Sequence, residues 1–175
     1  RESAVLALVE SFSRHPEAVK EQLALCEKGP AAAVVAVYLD DESNDVLKRA
    51  SIRVLGWLGA SDAVRPLLRL LEYESLQQEA LAALVDIGAA NPSALLASWP
   101  EVDGGQRAYL AYVLGESRCT ESLPLLQQGL RDADPQLVRM SAYALGCIGA
   151  VQMLPELTAC LENDSEDVQE AALHA

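Results

Sequence analysis

The chain has 175 residues and is 51% hydrophobic but only 5% aromatic, with 26 acidic residues against 13 basic ones. Its net charge of −13 disfavours nucleic acids and anionic membrane surfaces as partners, because both repel an acidic protein. No apolar run is long enough to span a bilayer, and no signal peptide is evident in these residues. The four cysteines show no CxxC pair and fit buried thiols, so we expect a reducing, cytoplasmic setting.

The spacing of apolar residues predicts an all-α chain, because steps of three and four place these residues on one helical face. A first helix is predicted at 3–14 and a last one from about 165 onward. Between them we expect helix pairs at 16–28 with 30–40, 44–58 with 61–73, 75–88 with 92–99, 104–116 with 119–131, and 134–148 with 151–162. We name the first helix of each pair helix A and the second helix B.

Segments 44–60 and 134–150 are two copies of one motif, since they align without a gap and share seven residues. Weaker copies lie at 75–89 and 104–118. The position of Gly56 recurs at Val85, Gly115 and Gly146, in steps of 29, 30 and 31 residues. A fixed period of this length predicts stacked helix pairs, each in contact only with its neighbours.

The copy at 134–150 indicates how each unit begins and ends. Asp134 before Pro135 is a helix-start signal, because Asp accepts hydrogen bonds from free amides and Pro loses none at the first helical position. Gly149 or the adjoining Ala150 is expected to end the helix. Gly146 lies inside it at a cost of roughly 1 kcal/mol relative to alanine, so we expect a neighbouring helix to approach closely there.

The third unit departs from the pattern. Its helix B is predicted to be short, since Asn91-Pro92 and Trp99-Pro100 bound it on either side. The following stretch, 101–105, is predicted to form a flexible joint.

These copies resemble the short HEAT repeats of bacteria and archaea, also called phycobilisome-lyase HEAT-like repeats. The residues that carry the resemblance are Val138, Arg139, Leu145, Gly146 and Gly149, with Arg49, Leu55, Gly56 and Gly59. The resemblance implies a right-handed α-solenoid of about five HEAT-like helix pairs with partial repeats at both ends. We therefore interpret residues 1–175 as a single repeat domain, clearest at 44–75, 76–104, 105–135 and 136–166, and as part of a longer chain.

The sequence contains few groups suited to catalysis. Its two histidines, His15 and His174, lie near opposite ends, which disfavours a shared metal ion or a catalytic triad. The HEAT-like deoxyhypusine hydroxylases hold two irons with His-Glu pairs, and this sequence has no His-Glu dipeptide. The acidic clusters fit helix capping, and the four cysteines fit buried thiols. We predict no enzyme activity, no metal, no cofactor and no small-molecule substrate.

In HEAT-like stacks the B helices usually line the concave surface, so we expect a partner protein to bind there. Arg65 and Arg69 are predicted one helical turn apart and could together hold a carboxylate. The other candidate contacts are Tyr73, Trp99, Gln128, Arg131, Gln152 and Glu156. The same residues could instead form a solvated face, and Trp99 could equally fill the gap left by the short helix B.

Three functions remain open from the sequence. The favoured one is a scaffold that binds another protein without catalysis of its own. Relatives of this repeat that act as lyases imply a second, in which the chain handles a bilin chromophore. The third is a rigid spacer between domains.

Overall fold

A computed structural model describes residues 7, 11, 14–25, 35, 36, 39, 45–163 and 165–175, and within them every regular element is helical. The α-helices are α1 (Pro16–Ala24), α2 (Asp45–Leu58), α3 (Val64–Leu70), α4 (Glu74–Ala90), α5 (Pro92–Ser98), α6 (Gly104–Glu116), α7 (Leu123–Gly129), α8 (Pro135–Ile148), α9 (Leu154–Cys160) and α10 (Glu166–His174). Short 3₁₀ turns lie at Ser61–Ala63, Trp99–Glu101, Thr120–Ser122 and Val151–Met153. The predicted all-α class is confirmed, and the even-numbered helices from α2 to α10 are the A helices.

The start of helix α8 is as predicted. Asp134 is its N-cap, and its Oδ1 accepts a hydrogen bond from the backbone N–H of Gln136 at 2.9 Å. Asp103 caps α6 in the same way, accepting from the N–H of Gln106 at 2.8 Å. The acidic residues before these two A helices therefore satisfy amides that the helix leaves unpaired.

Three A helices end through one left-handed residue, located three positions after the recurring glycine. This residue is Gly59 after α2 (φ 63°), Arg118 after α6 (φ 52°) and Gly149 after α8 (φ 74°). The next N–H then reaches back to the carbonyl five residues earlier, at 3.0–3.1 Å: Ala60 to Leu55, Cys119 to Leu114, and Ala150 to Leu145. This closure matches the usual glycine C-cap, and of the two residues expected to end α8 the structure selects Gly149.

The recurring glycines mark close approaches between neighbouring A helices. A Cβ atom added to Gly56 would lie 2.8 Å from the Cα of Ala83, and one added to Gly146 would lie 2.6 Å from the Cα of Ala175. Real Cβ atoms do not come this close to backbone, so only glycine fits at these crossings. The packing role predicted for Gly146 is confirmed.

The chain forms two compact units, Arg1–Ala94 and Leu95–Ala175, and the boundary falls inside α5. In the first unit α4 packs against α2 and α3, and the core is built from Leu55, Leu67, Leu68, Leu84 and Ile87. In the second unit α8 packs against α6, α7 and α10, and the core is built from Leu110, Leu114, Leu126, Leu137 and Leu145. The boundary lies in the third repeat, where Val85 replaces the recurring glycine.

Several expectations need correction. The B helices are shorter than predicted, because each begins with a 3₁₀ turn, or in α5 ends with one, and α3, α5, α7 and α9 have seven residues each. The segment predicted as a flexible joint, 101–105, is mostly helical: Glu101 closes a 3₁₀ turn and Gly104 already begins α6, so only Val102 and Asp103 lie between helices. The predicted helices at 3–14 and 30–40 lie largely outside the described residues, and the right-handed superhelical twist stays a prediction.

Candidate functional site

The α3 surface, defined here as Arg65, Arg69 and Tyr73, is the solvent-facing part of the B-helix region in the first unit. The buried residues of α3 are Val64, Leu67, Leu68 and Leu70, whose spacing puts one helical face into the core. The same spacing turns Arg65 and Arg69 outward, four residues apart and both exposed. Tyr73 follows as the N-cap residue of α4 and is 60% exposed. The structure therefore brings these three predicted contacts into one short segment.

The predicted contacts in the second unit are more dispersed. Gln128 and Arg131 are exposed at the end of α7, and Gln152 is exposed in the 3₁₀ turn before α9. Glu156 is half-buried, and its Oε1 accepts a hydrogen bond from Nε2 of Gln127 at 2.7 Å. Glu156 thus links the B helices α7 and α9, and one of its carboxylate oxygens is already used in a hydrogen bond within the protein.

Trp99 is a correction among the candidate contacts. It is only 7% exposed, so it is a core residue and not the exposed anchor that the sequence had left open. Its carbonyl oxygen accepts a hydrogen bond from Nε of Arg107 at 3.3 Å. The alternative expectation, in which Trp99 fills space beside the short helix α5, agrees with this burial.

A second cluster lies on the A helices α6 and α8 and was missed from the sequence. The rings of Tyr112 and Tyr143 stack with centroids 5.6 Å apart, and the Tyr143 hydroxyl donates to Oε1 of Glu116 at 2.6 Å. The sulfur of Cys147 lies 3.9 Å from the same carboxylate oxygen. Tyr112 and Tyr143 are 31 residues apart, so extending the repeat period to surface positions would have paired them.

The electrostatics of this tyrosine cluster oppose ionisation of both phenols. The hydrogen bond to Glu116, followed by the contact with Cys147, raises the pKa of Tyr143 above its ordinary value. Burial, followed by the charge of Glu116, raises the pKa of Tyr112. The tyrosine cluster is therefore suited to packing and hydrogen bonding between helices.

Burial likewise raises the pKa of the Cys119 and Cys160 thiols, which lie outside this cluster. The raised pKa keeps both thiols protonated and poorly nucleophilic near neutral pH.

Two shallow clefts lie between neighbouring A helices. The cleft between α8 and α10 has a volume of about 600 Å³ and is lined mainly by Arg139, Met140, Tyr143, Cys147, Glu170 and His174. The cleft between α2 and α4 has about 490 Å³ and is lined mainly by Val46, Arg49, Arg53, Gln78, Glu79 and Ala82. Arg49 and Arg139 occupy equivalent positions in the repeat. Arg49 forms an ion pair with Glu79, whereas Nε of Arg139 is buried without a hydrogen-bond partner.

The described residues contain no group of three or more His, Cys, Asp or Glu side chains arranged to hold a metal ion. No single helix among them is long and apolar enough to cross a membrane, although Glu74–Ala90 and Pro92–Glu101 reach that length and apolarity when taken together. Leu84, Ile87, Leu95 and Trp99 in this pair are buried in the protein, as expected of core helices.

The repeat geometry agrees with the comparison with known protein families. Residues 100–175 match the family description "HEAT repeats", and residues 47–73 match "PBS lyase HEAT-like repeat". The chain belongs to the HEAT-repeat family. The resemblance seen in the sequence is confirmed, and the repeats are of the phycobilisome-lyase type.

Three solved structures are similar to this chain at low sequence identity and with TM-scores below 0.5. An engineered protein is 18% identical with a TM-score of 0.45, over 98% of this chain and 94% of its own. The complex of CpcE and CpcF of phycocyanin lyase from Nostoc sp. PCC7120 is 19% identical with a TM-score of 0.46, over 99% of this chain and 74% of that one. Human deoxyhypusine hydroxylase in complex with glycerol is 18% identical with a TM-score of 0.46, over 97% and 82%. No curated protein matches this sequence.

Proposed function

We propose that this HEAT-repeat chain is a protein-binding module whose α3 surface holds an acidic segment of a partner protein. The observation that carries the proposal is the outward placement of Arg65 and Arg69 on a helix whose opposite face is locked in the core. A guanidinium group can hold a carboxylate through two parallel hydrogen bonds, and two such groups one turn apart can hold neighbouring carboxylates.

The setting of the α3 surface adds to this proposal. Leu67 and Leu68 are fully or almost fully buried, so α3 is a rigid support that holds the two arginines in place. Tyr73 supplies an exposed aromatic ring beside them, a residue type enriched at the centres of protein interfaces. In a chain of net charge −13, two exposed arginines on one helical face form a local basic spot that an acidic segment can recognise.

Gln128, Arg131 and Gln152 in the second unit are proposed as a further contact surface, because they too are exposed at or beside B helices. Glu156 is proposed only as a rim contact, since it already accepts a hydrogen bond from Gln127. The proposed function includes no catalytic step and assigns no cofactor.

The test is affinity enrichment from the source organism with the wild-type chain and an Arg65→Glu/Arg69→Glu variant as baits. An Arg14→Glu/Arg118→Glu variant is the matched control, because it changes the net charge equally at two exposed arginines outside the α3 surface. We expect a protein that is retained by the wild type and the control but lost with the α3 variant, all three having the same helical circular dichroism.

Equal enrichment by all three baits would contradict the α3 assignment and favour a spacer role or an interface elsewhere. For a partner that is recovered, isothermal titration with the purified protein then gives the loss of affinity. Loss of one buried, hydrogen-bonded charge pair costs about 2–5 kcal/mol, so each arginine substitution should weaken binding by at least tenfold.

The bilin-handling alternative derives from the match of residues 47–73 to the phycobilisome-lyase type of repeat. The best-matched residues there, Leu55, Gly56 and Gly59, are used for packing and for the helix end, so the match itself supports the fold. A bilin that binds should shift its visible absorbance when the purified chain is added. An unchanged spectrum at excess protein would eliminate this alternative.

A further inference from the structure

The cleft between helices α2 and α4 lies inside the first unit, beside the contact of Gly56 with Ala83. Arg53 precedes Gly56 by three residues and Ala82 directly precedes Ala83, and both residues line the cleft. Helix α2 also contacts α1, and α4 also contacts α3, so both walls of the cleft have further helices packed against them. The cleft volume of about 490 Å³ lies in the range of about 300–1,000 Å³ that is usual for ligand sites.

The equivalent crossing of A helices in the second unit is filled by aromatic side chains. Counted from the recurring glycine, Arg53 corresponds to Tyr112. Counted from the alanine that this glycine contacts, Ala82 corresponds to Tyr143. The two tyrosine rings stack with centroids 5.6 Å apart and an interplanar angle of 15°. In the first unit the small side chain of Ala82 leaves room for an aromatic ring at the same place.

The cleft carries a positive charge although the chain as a whole is acidic. Its charged lining residues are Arg49, Arg53 and Glu79. Glu79 pairs with Arg49, whereas Arg53 forms no ion pair with another residue in the described part of the chain. Arg53 is half-buried and lies one helical turn from Arg49. The cleft therefore attracts an acidic group.

The guanidinium group of Arg53 offers a ligand two kinds of contact. Its flat face can stack on an aromatic ring, and its edge can donate parallel hydrogen bonds to a carboxylate. Ala50 and Ala82 add an apolar part to the same lining. A ligand that uses all of these features carries an aromatic ring with a carboxylate next to it.

We propose that the α2–α4 cleft binds a peptide segment of a partner protein in which an aromatic residue is followed by acidic residues. The aromatic ring lies over Ala82 and against the guanidinium face of Arg53, in the place that Tyr143 takes in the second unit. The acidic residues pair with the edges of Arg53 and Arg49. This site lies on A helices, is separate from the α3 surface and does not depend on the proposed function.

A short labelled peptide is the probe, in which one tyrosine is followed by two glutamates in a background of glycine and serine. Fluorescence anisotropy should show that the wild-type chain binds this peptide. A peptide with alanine in place of the tyrosine, or with glutamines in place of the glutamates, should bind roughly five- to tenfold more weakly. Each comparison peptide lacks one of the two groups that the cleft is proposed to recognise.

Substitutions at Arg53 test the residue that is proposed to hold both groups. Arg53→Gln should weaken binding of the tyrosine peptide by about tenfold, because the stacking face and the charge are both lost. Arg53→Lys keeps the charge without the planar face and should give an intermediate affinity. Arg14→Gln is the matched control, since it removes the charge of an exposed arginine that does not line the cleft.

Ala82→Tyr tests the shape of the cleft without removing a charge. It introduces the residue type that the second unit holds at the equivalent position, so the new ring should occupy the cleft and abolish peptide binding. The helical circular dichroism should stay unchanged. If this variant loses helicity, the Arg53 variants decide the proposal on their own.

Equal binding of the tyrosine peptide by the wild type and Arg53→Gln would overturn the proposal, as would equal binding of the tyrosine and alanine peptides. The Arg65→Glu/Arg69→Glu variant distinguishes this site from the α3 surface. It should bind the tyrosine peptide as the wild type does at a salt concentration that screens long-range charge. Loss of binding in that variant, with binding retained in Arg53→Gln, would place the peptide on the α3 surface and overturn the assignment to the cleft.

Discussion

Gly115 of α6 lies directly against Ala144 of α8, so that a Cβ atom added to Gly115 would stand 2.5 Å from the Cα of Ala144. The backbone of the neighbouring helix occupies the space that any side chain at this position would need. Because the same approach joins Gly56 to Ala83, a glycine sets the spacing of adjacent A helices in both units.

Gly115→Ala is therefore expected to lower the free energy of unfolding. The added methyl group must displace backbone, and overpacking of this kind costs about 1–3 kcal/mol, which outweighs the gain in helix propensity of roughly 1 kcal/mol. Urea unfolding followed by circular dichroism measures the difference. Gly105→Ala in the first turn of the same helix is the control, because the nearest atom to its added Cβ, Oδ1 of Asp103, lies 3.6 Å away. A Gly115 variant as stable as the wild type would show that the helices can separate without cost.

The sequence predicted the A helices and their ends well, because their signals are local. Asp134, Pro135 and Gly149 act within one turn of their own positions, and the structure places the helix start and end where these residues indicate. Gly146 could be recognised because a glycine inside a helix is costly and its period repeats. Which residue it meets, Ala175, depends on helix packing and could not be read from the sequence.

The less successful predictions concern residues whose environment depends on neighbouring helices. The sequence left open whether Trp99 is an exposed anchor or a core residue. Its burial depends on the packing of the helices around it and is seen only in the structure. Of the proposed contacts, Glu156 was expected to face a partner, but Gln127 one repeat earlier uses its carboxylate. The exposed positions of Arg65 and Arg69 followed from the spacing of the leucines between them, which is a local signal.

Arg118→Gly is expected to stabilise the chain by about 0.5–1 kcal/mol. Arg118 has a φ of 52°, at the position where Gly59 and Gly149 end the equivalent helices. A side chain in the left-handed region costs about 1–2 kcal/mol, and the greater freedom of glycine in the unfolded chain cancels part of the gain. Ser117→Gly is the control and should destabilise, because its φ of −78° suits any residue and its hydroxyl donates to the carbonyl of Val113 at 2.8 Å. The melting temperatures of both variants measure these effects. A lower melting temperature for Arg118→Gly than for the wild type would contradict the argument that Arg118 is strained.

Ala171→Glu is expected to stabilise the second unit by about 0.5–1 kcal/mol, the usual range for a well-placed ion pair. Ala83 and Ala175 contact the recurring glycines in the same way, so Glu79 and Ala171, each four residues earlier, occupy equivalent positions. Glu79 pairs with Arg49, whereas Nε of the equivalent Arg139 is buried without a partner.

The matched control for this ion pair is Ala171→Gln, which has nearly the same shape without the charge. Chemical unfolding at low and high salt distinguishes the glutamate variant from the glutamine variant. The increase in the free energy of unfolding of the glutamate variant should shrink at high salt, because salt screens the ion pair. Equal stability of the glutamate and glutamine variants at low salt would show that Arg139 gains nothing from a carboxylate at this position.

Glu116→Gln is expected to lower the pKa of Tyr143 toward its ordinary value. In the wild type the phenol donates to the carboxylate, so the hydrogen bond favours the protonated phenol and the negative charge disfavours phenolate. A pKa that is higher in the folded chain means that this contribution to stability is complete below about pH 10 and is lost as pH rises through the folded pKa. Absorbance titration at alkaline pH should show Tyr143 ionising at lower pH in the glutamine variant, with Tyr143→Phe used to assign the signal.

The pKa of Tyr112 should fall by a smaller amount, because burial is the larger cause of its raised pKa and remains after the substitution. Titration curves that superimpose for wild type and variant would mean that Glu116 does not govern either phenol.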